Sequence, residues 1–231
     1  MQIWQDEIQI LRINKTQIVM KKTFLFTTLV FFTYLLFVPI CTTAQSNTFD
    51  EGVVINGVKW ATRNVDNSGT FTANPEDVGM FYQWNSKIGW SSTDPMISTN
   101  DEATWKILTP PTNNHWKKNN DPSPTGWRVP TLNEIKKLLD INKVSHEWTT
   151  VNDIGGMKFT DITTGNSIFL PAAGLRYPNK SLSYVMPGNY WSSTQNTGST
   201  SYEFYLGFGY GFAKWYNMDC CCGFSVRSVA E

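Results

Sequence analysis

The chain has 231 residues, with 19 Lys and Arg balancing 19 Asp and Glu, and aromatic residues make up 14% of it. A formal charge of zero supplies no electrostatic footprint for nucleic acid or for an anionic membrane surface. Plentiful aromatics, 16 Gly and few charges argue against a helical bundle or a disordered chain and point to a loop-rich globular domain.

Met20-Lys21-Lys22 precedes an uncharged run from Thr23 to Ile40, and Thr42-Thr43-Ala44 place small residues just ahead of Gln45. A basic start, an apolar stretch and a small-residue exit describe a secretory signal peptide cleaved before Gln45. Residues 1–44 are thus an upstream extension plus signal, 45–51 a polar linker, and 52–231 one domain. The expected location is secreted or at the outer cell surface. Two alternatives use the same residues. One is an uncleaved anchor, because the apolar run approaches the length that spans a bilayer. The other is lipidation at Cys41, against which Val38-Pro39-Ile40 offers no small residue immediately before the cysteine. Beyond Cys41, the only cysteines are Cys220, Cys221 and Cys222. Adjacent cysteines rarely bridge one another, so no disulfide framework is expected.

Within the domain, 53–61 reads as two short strands about an Asn56-Gly57 turn, a strong hairpin signal because both residues tolerate positive φ. Asn74 followed by Pro75-Glu76-Asp77 reads as a candidate helix start. Met80 to Asn85 is too short for periodicity to decide between helix and strand. Residues 88–125 form a long irregular stretch holding Trp90, Trp105 and Trp116, whose rings are expected to plug it onto the core. Thr131-Leu132-Asn133-Glu134 is a capping box. Leu132, Ile135, Leu138 and Leu139 then share one face, which predicts a helix from Leu132 to about Ile141. Glycine-punctuated β segments follow at 155–161, 167–171, 202–208 and 224–229. Helical starts followed by a run of short strands read as an α+β fold with an antiparallel sheet.

Seven segments in order resemble the Fibrobacter succinogenes major paralogous domain, a family of secreted and surface proteins common in Bacteroidetes. They are GVKWATRNVD at 57–66, GMFYQWN at 79–85, PTGWRVPTLNEIKKLLD at 124–140, GGMKFTD at 155–161, FLPAAGLRY at 169–177, YWSST at 190–194 and GFSVRSV at 223–229. The resemblance covers nearly the whole domain. It implies a C-type-lectin-like α+β fold with one or two helices, related to that of formylglycine-generating enzymes. Where relatives often carry Cys, this chain has Ser123, so a disulfide from that position is not available.

The C-terminal block, 188–231, is also similar to the variable proteins of diversity-generating retroelements. In those, a scrambled segment rich in Tyr, Phe, Cys, Ser, Asp and Gly precedes a fixed GFSVR-like strand. Between Gln195 and Cys222 this chain has that mixture, with three consecutive cysteines. The alternative is an ordinary paralogue with a Tyr- and Gly-rich loop.

No catalytic constellation emerges. His115 and His146 lack metal-ligand spacing with another His or Cys and read as solvated. The carboxylates form no assignable acid–base pair, and the sugar-binding motifs of true C-type lectins are absent. No enzyme activity and no cofactor are therefore expected; a formylglycine-generating-type oxidase is a distant alternative.

Recognition remains. Strand alternation over 202–208 places Phe204, Leu206 and Phe208 inward and Glu203, Tyr205 and Gly207 outward. The expected ligand-binding set is Tyr205, Tyr210, Trp215, Tyr216, Asn217, Asp219 and Cys220. Trp127 and Trp191 read as core, and Arg227 as a structural hydrogen-bond or ion-pair group. The expected partner is a protein or glycan on another cell, a phage or a host, with no nucleic acid and with membrane contact only through an N-terminal anchor. The alternative is a structural subunit of a surface or pilus-like assembly.

Overall fold

The computed structural model describes residues 48–100, 104–105, 115–183, 188–199 and 201–231. The predicted export segment 1–44, Cys41 and the start of the linker at 45–47 lie outside them. Among the described residues no helix is long and apolar enough to cross a membrane.

The α+β, C-type-lectin-like expectation is corrected here: the described chain is mostly β. Its one α-helix is α1 (Leu132–Leu138), joined by a single 3-10 turn at Lys118–Asn120, against fourteen short strands. These are β1 (Val53–Ile55), β2 (Val58–Trp60), β3 (Phe81–Tyr82), β4 (Gly89–Trp90) and β5 (Trp127–Arg128). After α1 come β6 (Val144–Val151), β7 (Ile154–Asp161), β8 (Ser167–Pro171), β9 (Leu175–Arg176) and β10 (Leu182–Ser183). The last are β11 (Gly188–Trp191), β12 (Tyr202–Gly209), β13 (Phe212–Asp219) and β14 (Val229–Ala230). They form small sheets ordered β1-β2-β14-β5, β3-β4, β6-β7-β8, β9-β10 and β11-β12-β13, with antiparallel pairing.

The shortage of helix has local causes. The segment from Asn74 closes as a turn, with the Asp77 N–H donating to the Asn74 carbonyl at 3.2 Å and the Asp77 carboxylate accepting from the Asn74 N–H at 2.8 Å. That carboxylate is spent on its own turn, and no helix propagates. At α1 the capping box forms in full, with the Glu134 N–H donating to Thr131 and the Thr131 N–H donating to the Glu134 carboxylate. The helix stops at its Leu139 C-cap, earlier than expected, because Lys143 and Val144 both donate backbone N–H groups to the Asp140 carbonyl. That turn feeds β6, a strand the sequence pattern does not reveal.

Two apolar cores flank the β11-β12-β13 sheet. One gathers Ile55, Trp60, Ile135, Leu138, Val144, Phe159, Leu206 and Phe208. The other gathers Phe71, Tyr82, Trp84, Trp116, Trp191, Phe224 and the three cysteines. Each fully buried Leu or Phe contributes about 1.5–3 kcal/mol by leaving water.

Trp90, Trp105 and Trp116 are buried and anchor the described parts of the long loop. Buried Arg176 holds it as well, donating to the carbonyls of Ser91 and Thr93 at 3.0 and 2.9 Å. Trp127 is only half-buried, edge-on to Phe71, whereas Trp191 is fully buried and stacks on Phe224 at 4.1 Å. Ser228 Oγ donates to Ser123 Oγ at 2.8 Å, so a polar contact occupies that position.

Candidate functional site

The β12–β13 hairpin is built on β11. Tyr190 pairs with Leu206 and Trp191 with Tyr205, which seats β12 against the YWSST segment. That segment is fixed in turn by α1, because Thr194 Oγ1 accepts the Leu132 N–H at 3.0 Å. β13 then runs back beside β12 in register from Tyr202↔Asp219 to Gly209↔Phe212. The turn is Tyr210-Gly211, with Gly211 in the left-handed region at φ 86°, which glycine adopts without strain. Among the described residues no strand pairs with the far side of β13, so its outer edge is open.

The exposed hydrophobic residues concentrate here. Tyr210 is 86% exposed at the tip, its ring 6.5 Å from that of Trp148. Trp215 is 43% and Tyr216 39% exposed, with Phe212, Tyr202 and Asn217 also at the surface. On the α1 side, Trp215 packs edge-on to Phe204 at 5.6 Å, and Lys136 Nζ lies over its ring at 5.2 Å. On the other side, Tyr216 leans on Tyr205 at 5.7 Å. Gly207 lets these two rings lie close, since a Cβ there would meet Tyr216 at 2.9 Å and Tyr205 at 3.0 Å.

Three members of the expected ligand-binding set are placed differently. Tyr205 is half-buried, its ring 4.8 Å from Phe224 and 6.4 Å from Trp191. Burial pushes its pKa up to about 12, with nearby Tyr216 and Cys222 adding to the shift. Asp219 is half-buried and holds the turn after β13, its Oδ1 accepting the Cys221 N–H at 2.8 Å. Cys220 is buried with Cys221 and Cys222 in the second core and does not face solvent. The three thiols form no disulfide among the described residues. Burial, first, and the neighbouring Cys221 raise the Cys220 pKa; burial and Asp219 push that of Cys222 up to about 12.

Glu203, expected outward, is fully buried. Its Oε2 accepts the Asn196 N–H at 2.7 Å, while Oε1 has no hydrogen-bond partner among the described residues. Burial pushes its pKa up to about 7 despite that hydrogen bond. Period-two reasoning misplaces it because the second core covers the face taken as outward, while on the opposite face Tyr202 is exposed and Phe204 half-buried at that end.

The histidines lie apart from the hairpin's display positions. His115 is exposed and bridges to Thr194 through backbone. His146 is half-buried, its ring 5.3 Å from Phe159, and burial lowers its pKa. Two clefts, of about 500 and 660 Å³, lie elsewhere, beside Phe71 and Met80 and beside Trp116 and Trp127. The aromatic hairpin is a projecting surface rather than a wall of either cleft.

No family model, no curated protein and no solved structure matches the chain.

Proposed function

We propose that this chain is an exported recognition protein that binds a macromolecular surface, protein or glycan, through the β12–β13 hairpin. The observation that carries this reading is the strip Tyr210, Phe212, Trp215, Tyr216 and Asn217, exposed along the hairpin turn and its edge strand β13. Large apolar groups grouped at the surface mark contact sites, and Tyr, Trp and Asn suit them by offering rigid contact area with adaptable hydrogen bonding. A projecting strip suits a macromolecule better than a small molecule, which needs a concave site.

The sequence resemblance to the major paralogous domain supports an exported surface role. If the segment is diversified, as in retroelement variable proteins, the positions free to vary are those facing solvent from Tyr210 to Asn217. The buried cysteines lie outside that set. A reverse-transcriptase gene beside a near-copy of this coding segment, differing only at adenines, is the expected genomic sign. The open edge of β13 favours a second reading, a subunit interface in a surface assembly, because such edges accept a further strand.

The direct test compares the full chain with a Tyr210→Ala, Trp215→Ala, Tyr216→Ala variant on glycan arrays and surface-protein libraries. The expected result is a ligand bound by the parent and lost by the variant, with Tm unchanged. Equal binding by both, or a variant that unfolds, overturns the reading. Concentration-dependent self-association lost in the variant would select the subunit interface instead.

A further inference from the structure

Asp219, Cys220 and Cys221 place a carboxylate oxygen and two sulfurs within 4.8 Å of one another. The two Sγ atoms are 4.0 Å apart. Two sulfurs on one tetrahedral zinc, at bonds of about 2.3 Å, stand about 3.8 Å apart, so the observed separation needs little adjustment. The consecutive cysteines converge because the chain leaves β13 at Asp219 and turns sharply. The Cys222 N–H donates to the Asp219 carbonyl at 2.9 Å, and the Cys221 N–H to the Asp219 carboxylate at 2.8 Å.

A second observation points to the same spot. Glu203 pairs with Met218 across the β12–β13 ladder, and strand alternation puts Cys220 on that same face. The Cys220 N–H donates to the Ser201 carbonyl at 2.8 Å, which holds Cys220 beside the start of β12, two residues from Glu203. The carboxyl group is fully buried, yet Oε1 has no hydrogen-bond partner among the described residues. A buried oxygen left so costs about 1–3 kcal/mol, more if charged, unless something else satisfies it. A cation beside Cys220 would do so.

We propose that Cys220, Cys221 and Asp219 form a site for a soft divalent cation, with Glu203 as the supporting carboxylate beside it and zinc the ion that two thiolates and a carboxylate suit. Binding releases the two thiol protons to solvent as the sulfurs become thiolates. The role of the site is structural. It ties the end of β13 to the start of β12, at the base of the hairpin that carries the exposed aromatics. Cys222 is not a ligand; it packs in the second core beside Tyr205.

The test takes the purified full chain, strips it with chelator and titrates it with Co²⁺ and then Zn²⁺. One equivalent of Co²⁺ should bind with thiolate-to-cobalt charge-transfer absorption, Zn²⁺ should displace it, and Zn²⁺ should raise Tm. Cys220→Ser and Cys221→Ser should each abolish the charge-transfer band and the Tm rise, while Cys222→Ser keeps both. Glu203→Gln should weaken Zn²⁺ binding about 10–100-fold, the usual cost of losing a supporting carboxylate. X-ray absorption at zinc on the unsubstituted protein gives a readout that needs no variant: two sulfurs per ion at about 2.3 Å. No charge-transfer band in folded parent protein, or a zinc shell without sulfur, overturns the proposal. So does a Cys222→Ser variant that folds yet binds no metal.

Discussion

Trp215 and Tyr216 are consecutive in the chain and stand on opposite faces of the same ribbon. Trp215 faces Leu206 and the α1 side under Lys136, and Tyr216 faces Tyr205 and the second core. A flat partner laid on one face therefore contacts one ring and not the other. For any single ligand, Trp215→Ala and Tyr216→Ala are expected to differ by at least about tenfold in Kd, measured by calorimetry, a factor worth about 1.4 kcal/mol. Lys136→Ala should follow Trp215→Ala, since a cation over an exposed indole contributes about 0.5–1 kcal/mol. Equal losses from both rings would mean that the partner straddles the open edge.

Arg227 should be among the least tolerant positions. It is buried, donating to Asn64 Oδ1 at 2.9 Å and to the carbonyls of Phe169 and Ala61 at 3.1 and 3.2 Å. Burial pushes its pKa down to about 10, which still leaves it charged at neutral pH. Arg227→Ala strands these acceptors and is expected to cost about 3–5 kcal/mol. Urea denaturation at pH 7 checks this, and Arg227→Lys should rescue only part of the loss because an ammonium cannot reach three directions in one plane.

Acid stability should depend on Asp50. Burial raises its pKa, but donors from Gly52, Thr62 and Arg63 outweigh burial and hold it below the usual carboxylate value of 3.8. A carboxylate depressed in the folded state stabilises above its unfolded pKa, and that contribution is lost as pH falls through the folded one. Asp50→Asn should therefore lower stability at pH 7 and bring the parent and variant together as pH falls below the usual carboxylate value of 3.8, followed by thermal melts across that range.

The capping box gives a smaller and more local effect. Thr131→Ala should cost about 1 kcal/mol. Glu134→Ala should cost more, since Glu134 also holds Arg128 through two contacts of 2.6 and 2.9 Å. Arg128→Ala in the Thr131→Ala background separates the two contributions in a double-mutant cycle read by Tm.

Features with short-range causes were legible in the sequence. Asn56 and Gly57 take φ of 46° and 73° as the hairpin turn demands. The capping box starts α1 where its residues require, and Gly155 to Asp161, Ser167 to Pro171 and Tyr202 to Phe208 fall in strands. Properties set by distant contacts were not legible. Glu203 and Cys220 are buried because β11, β12 and the turn after β13 meet the second core, and nothing adjacent in the chain announces that. β6 was missed because Val144–Val151 mixes His, Glu, Trp and Thr at half-buried positions, which blurs its alternation. For the hairpin, the exposed Tyr210 and Trp215 followed from aromatic density, but the assignment of rings to faces needed the register with β12.

The sheet order β1-β2-β14-β5 places a strand from residues 229–230 between one from residues 58–60 and one from residues 127–128. Arg227 locks this arrangement by reaching the Ala61 carbonyl, 166 residues earlier. Such distant pairings fold slowly, because loop closure must precede the contacts that reward it. The first strands to emerge during synthesis must wait for the GFSVR segment before their sheet has an interior. A chain that stays loose until then would suit the export proposed above, passing as an extended thread with folding completed afterwards.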